Sequence, residues 1–237
     1  MNYNAVTYAA AAILLGAVGI WFGDFAMQWQ AVPKWIPAMP WAYVSGGILA
    51  AGGVLILARQ EKVGALILAA FFGLWVVVFH LPPTLTKAIG SIGAWNAPAE
   101  SGFLTAGGLA LFALHSTHRE KLALFARLLA GASAVVFGFA HFNYIDFTAS
   151  MVPAWIPFKT FWAWATGAGH LLAGVALLSG IRARLAAGCE AAMMASFALL
   201  LHLPRVVAAP DQHVEWIMLA ISSCLAGSAL LVRKYST

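Results

Sequence analysis

The chain has 237 residues, 62% of them hydrophobic and 9% charged, with a mean hydropathy of +0.86. A soluble domain carries roughly 25% charged residues, so this composition excludes a water-soluble globular enzyme. The net charge of +5 would point to nucleic acid in a soluble protein, but here it reflects loop lysines and arginines, and the expected partner is the lipid bilayer, with no nucleic acid.

Apolar runs of bilayer-spanning length fall at about 6–24, 41–58, 63–81, 101–116, 122–143, 160–180, 185–203 and 215–232. The opening MNYNAVTYAAAAILLGAVGIW has no basic region before its apolar stretch, so it reads as a retained first helix and not as a cleaved signal peptide. VPKWIP follows at 32–37; its two prolines cannot sit inside a regular helix, and its tryptophan suits the headgroup region. The second span contains GGILAAGG (46–53), small residues that let helices approach closely in lipid. The third ends at His80-Leu81-Pro82, where a histidine suits the negative end of the helix dipole and proline stops the helix. KAIGSIGAWNAPAE (87–100) is expected on the membrane surface, with Glu100 opening the fourth span. His115 and His118, in HSTHREK, are expected to be solvated.

His141 lies at the end of the fifth span. VPAWIP (152–157) repeats the earlier motif 120 positions on. TGAGHLLAG (166–174) places His170 near the middle of the sixth span. Glu190, near one end of the seventh span, is expected to pair with Arg182 or Arg184. His202-Leu203-Pro204 ends that span, and PDQHVE leads through His213 to Glu215 at the start of the eighth. Cys189 and Cys224 lie within apolar spans without a CxxC spacing, which gives a thiol–disulfide relay no support.

The order of landmarks predicts an internal duplication. GAVGIWFG (16–23) matches GASAVVFG (131–138), GGILAAGGVLIL (46–57) matches GAGHLLAGVALL (167–178), the HLP strings match, and Glu100 is paired with Glu215. The expected fold is therefore all-α and integral to the membrane, with eight transmembrane helices in two units, 1–118 and 119–237. The even number of spans per unit makes them two parallel four-helix bundles related by a pseudo-twofold along the membrane normal. With both termini in the cytoplasm, Arg59, Lys62, Arg119, Lys121, Arg127, Arg182, Arg184, Arg233 and Lys234 lie inside, and Lys34, Lys87, Lys159 and Arg205 outside, which satisfies the positive-inside rule. Both VPxWIP loops and the loop tryptophans Trp29, Trp35, Trp95 and Trp155 then face the periplasm of a bacterial inner membrane.

Ionisable residues at membrane depth face a bundle interior or a cavity. In the second unit His141, His170, His202 and Glu215 could converge, with His202 and Glu215 as proton-exchanging groups and His141, His170 and Trp155 binding a cofactor. A quinone headgroup, a haem or a transition metal would each suit that set, and His80, His202, Glu100 and Glu215 form the metal candidates. In the first unit Leu49 stands at the His170 position and Ala26 at the His141 position, so the second bundle is the expected working one. A haem shared between His80 and His202 on the axis is a further option.

The stretch FGFAHFNYIDFTASMVPAWIPFKTFWAWATGAGHLLAGVALL (137–178), with HLPRV (202–206) and Trp216, resembles the DoxX-like membrane proteins. The first unit carries the likeness more weakly, through VPKWIP and HLP, so the chain resembles a tandem DoxX-like fusion. The resemblance implies a four-helix bacterial unit and a redox association, the family taking its name from a subunit associated with a thiosulfate:quinone oxidoreductase; it carries over no catalytic residue. The expected function is an inner-membrane redox protein or redox-complex subunit, an oxidoreductase component acting on a quinone or on a small sulfur or oxygen species near the outer leaflet, with other membrane or periplasmic redox subunits as partners. The alternative from another class is a non-enzymatic scaffold or lipid-binding subunit. A small-solute carrier ranks third, since the Gly/Pro interruptions lie at the surface and not at mid-membrane.

Overall fold

Apolar runs in lipid must satisfy every backbone N–H and C=O internally, and the helix does so. The computed structural model describes residues 3–26 and 32–235; Trp29 lies outside them. The described residues are helical throughout, joined by short turns, with no strand among them. Helices α1 (Tyr3–Phe22) and α2 (Ala38–Leu57) are followed by α3 (Glu61–Leu74), a π-helical turn Trp75–His80 and α4 (Leu81–Lys87). Helix α5 is Ile92–Ala113, α6 Arg119–Asn143, α7 the short Ile145–Met151 and α8 Lys159–Ser179. Then come α9 (Ala183–Ser196), a second π-helical turn Phe197–His202, α10 (Leu203–Ala208) and α11 (His213–Tyr235).

Seven segments are long and apolar enough to cross a membrane, and Glu61–Lys87 and Ala183–Ala208 each run as one of them. Here the structure departs from the expectation that His-Leu-Pro ends a helix. Pro82 and Pro204 lack an N–H, and their rings would clash with a carbonyl four residues back. The π-helical turn widens the helix just before each proline, and the proline then falls in the first turn of the resumed helix, where no N–H is needed. Stopping the chain at that depth would have exposed unpaired backbone to lipid.

The remaining long helix, α5, is not among the seven. It carries Asn96, Pro98 and Glu100 but buries most of its second half, so other helices and not lipid surround it. KAIGSIGAWNAPAE is accordingly no surface loop: from Ile92 onward it forms the first two turns of α5.

Packing differs from two self-contained bundles. Helix α1 packs on α2, α2 on α3, and α3 on α5; likewise α6 packs on α8, α8 on α9, and α9 on α11. The first helix of each half, however, is flanked by the last helix of the other, α1 by α11 and α6 by α5. The long helices thus form one closed ring, and α5 and α11 also touch across its middle. Small residues allow the tightest crossings. A Cβ on Gly46 would lie 2.6 Å from the Gly16 carbonyl, and one on Gly174 would lie 2.9 Å from the Gly131 carbonyl, so α1–α2 and α6–α8 meet backbone to backbone.

Candidate functional site

A cavity of about 1160 Å³ opens among α6, α7, α8, the second π-helical turn, α11 and the first turns of α5. Its wall is mostly aromatic and aliphatic, with Met151, Met193, Met194 and Met218 among the lining residues. VPAWIP forms part of its mouth through Val152, Trp155, Ile156 and Pro157. Both proline-tryptophan motifs fold alike: the Ile156 N–H bonds the Pro153 carbonyl at 3.0 Å, and the Ile36 N–H bonds the Pro33 carbonyl at 2.9 Å. Beside the second copy, Phe158 is held left-handed at φ 59°, a costly conformation for a bulky residue, and it also lines the cavity.

His141, His170, His202, Glu100 and Asn96 are among the polar groups at the wall, with Tyr144, Thr148, Thr166, Ser196 and Ser222. His141 ends α6, and its Nδ1 lies 2.8 Å from the Phe137 carbonyl. His170, buried at 1% exposure in the middle of α8, stands behind it, with ring centroids 4.8 Å apart. Phe137 and Phe197 close around the His170 ring at 5.6 and 6.1 Å. His170 Nδ1 lies 2.8 Å from Oε1 of Glu190, which is fully buried. Glu190 therefore does not pair with Arg182 or Arg184. The missed signal was depth: His170 and Glu190 lie about eleven residues before and nine after Ile181 in the tight turn between α8 and α9, so an antiparallel hairpin brings them level. A buried polar side chain needs a hydrogen-bond partner, and each member of this dyad supplies the other's.

Of the residues singled out from sequence, His141, His170, His202 and Trp155 line this one cavity, and Glu100 joins them from the other half of the chain. Glu215 is not among the lining residues. It sits in the first turn of α11, whereas Glu100 lies two turns into α5, so the two are not at matching depths. Trp95 and Trp216 match better, each donating its indole N–H to the carbonyl six residues earlier, of Ile89 and Pro210, at 2.9 Å. His80 is buried in the first π-helical turn, which packs on α3, α4 and α5, while the turn holding His202 packs on α9, α10 and α11. Among the described residues no three His, Cys, Asp or Glu side chains come together as a metal site would need.

The apolar spans define an integral membrane protein, and its helices leave a large, mostly apolar cavity. Residues 122–203 match the DoxX family model, and this stretch, which supplies most of the cavity wall, is DoxX-like. Neither the curated proteins nor the solved structures give a match to the chain.

Proposed function

We propose that the chain is a bacterial inner-membrane redox protein, or a subunit of a redox complex, that binds a quinone or its reduced quinol in the second half. One observation carries the reading: the cavity combines a mostly apolar wall with the ionisable side chains His141, His170, His202 and Glu100. Such a space suits a ring with oxygen substituents on a hydrophobic tail. A small sulfur or oxygen species would leave most of about 1160 Å³ unfilled. Phe147, Phe158, Phe161 and Trp162 are exposed at the mouth, which suits entry from acyl chains. The ligand's electrons would pass to a partner subunit, and the histidines would exchange its protons.

In this reading the termini are cytoplasmic, and the cavity faces the periplasmic leaflet. The two halves are a duplicated unit about a pseudo-twofold along the membrane normal. In support, the matched π-helical turns share one register. Gly107 of α5 also faces Ser228 of α11, where a Cβ on the glycine would meet the serine Cβ at 2.7 Å. These positions are equivalent if Trp95 matches Trp216, as an on-axis contact requires.

The test is ligand binding by the lipid-reconstituted chain. A short-tailed quinone or its quinol should bind saturably, one per chain, and His202→Ala should weaken binding about tenfold with an unchanged melting temperature. Absence of saturable binding by either form, with phospholipid filling the cavity, would sink the redox reading. It would favour the lipid-binding scaffold that the same aromatic mouth also suits.

A further inference from the structure

The cavity's polar wall has a direction that follows from its hydrogen bonds. A backbone carbonyl can only accept, so His141 Nδ1, bonded to the Phe137 carbonyl, carries the ring's proton. Its Nε2 is then an acceptor. His170 repeats the arrangement with the Glu190 carboxylate as acceptor at Nδ1, which leaves its buried Nε2 without a protein partner. This is the orienting logic of a carboxylate behind a catalytic imidazole. Three of the hydroxyls at the wall have also given their protons away. Thr148 donates to the Tyr144 carbonyl at 3.0 Å, Thr166 to the Trp162 carbonyl at 2.8 Å and Ser196 to the Met193 carbonyl at 2.7 Å. The Trp162 indole N–H is likewise committed to the Pro157 carbonyl. Each of these three hydroxyls is left with lone pairs only. Asn96, Glu100, Tyr144, His202 and Ser222 can serve either polarity.

We infer that the head group held here is a hydrogen-bond donor, a hydroquinone or similarly hydroxylated ring on an apolar tail, and that the oxidised, carbonyl-only ring is the weaker ligand. The inference rests on the proposed quinone-type site and adds its redox preference. An acceptor-only ring would bury its carbonyls against acceptors, and unpaired buried polar atoms are what a site discriminates against most strongly. A hydroxyl reaching His141 Nε2 instead satisfies both partners.

The experiment compares three ligands with one decyl tail on the reconstituted chain: the hydroquinone, kept reduced under anaerobic conditions, its dimethyl ether and the quinone. The hydroquinone should bind at least tenfold more tightly than either of the others. In His141→Gln, whose amide can donate, the hydroquinone-to-quinone preference should shrink several-fold at an unchanged melting temperature. His141→Leu should bring the hydroquinone down to the affinity of its ether. Equal or tighter binding of the quinone by the native chain overturns the donor inference and leaves the quinone-type site standing. Saturable binding by none of the three overturns both.

Discussion

The two halves of the chain run through similar elements and end with opposite interiors. A cavity of about 1160 Å³ opens mostly within the second half, whereas a pocket between the first half and α11, lined by Leu15, Val18, Ala26, Leu49 and His213, holds about 10 Å³. The positions aligned from sequence explain the contrast. Ala26 and Leu49, which stand for His141 and His170, line the small pocket. Counting twelve residues back from His80 and His202 pairs Leu68 with Glu190. Leu49 and Leu68 are both fully buried in the apolar core, so the first half carries two leucines where the second carries a hydrogen-bonded acid and base. Aromatic packing fills the rest. Trp75 meets Phe71, Phe79 and Phe25 with centroids 4.7, 5.1 and 6.3 Å apart, and His213 stacks on Phe22 at 4.5 Å. A helical unit of this kind can be solid or hollow with little change in its backbone, and a few side chains decide which.

The largest expected effect comes from breaking the dyad. His170→Leu or Glu190→Leu alone strands a buried polar partner, with a loss of roughly 3–5 kcal/mol. The double His170→Leu/Glu190→Leu variant copies the first half's leucines and should recover most of that loss while losing quinol binding. Unfolding in micelles gives the double-mutant cycle, and strictly additive losses would break the comparison.

Packing supplies the next contrast. Leu49→Ala should cost roughly 2–5 kcal/mol, because its surroundings are full. Leu225→Ala, equally buried but already beside the large cavity, should cost distinctly less, since fewer neighbours lose contact. Equal losses on denaturation would mean that the second half is not hollow in the folded protein.

His202→Ala should weaken quinol binding about tenfold, roughly 1.4 kcal/mol. His80→Ala should leave binding unchanged, because His80 does not line the cavity. A matching loss in both, measured by titration, would point to a shared site. The smallest effect belongs to Trp155→Ala. With the residue 67% exposed, stability should change by no more than about 0.5 kcal/mol. A loss above about 2 kcal/mol on thermal unfolding would make VPAWIP a structural clamp and not a mouth.

By itself the sequence determined the class, most span positions, the small-residue crossings and both proline-tryptophan turns. These follow from local composition and from proline's missing N–H. It also singled out His141, His170 and His202, because ionisable residues are scarce in apolar helices. Only the tertiary structure decided the partners. Glu190 belongs to His170 because a hairpin levels them, and Glu100 reaches the second half's cavity because α5 packs on α6. The helices pass through His-Leu-Pro because lipid penalises unpaired backbone more than it penalises one widened turn. Contacts between helices depend on which faces meet around the ring, and a chain read one residue at a time does not state that choice.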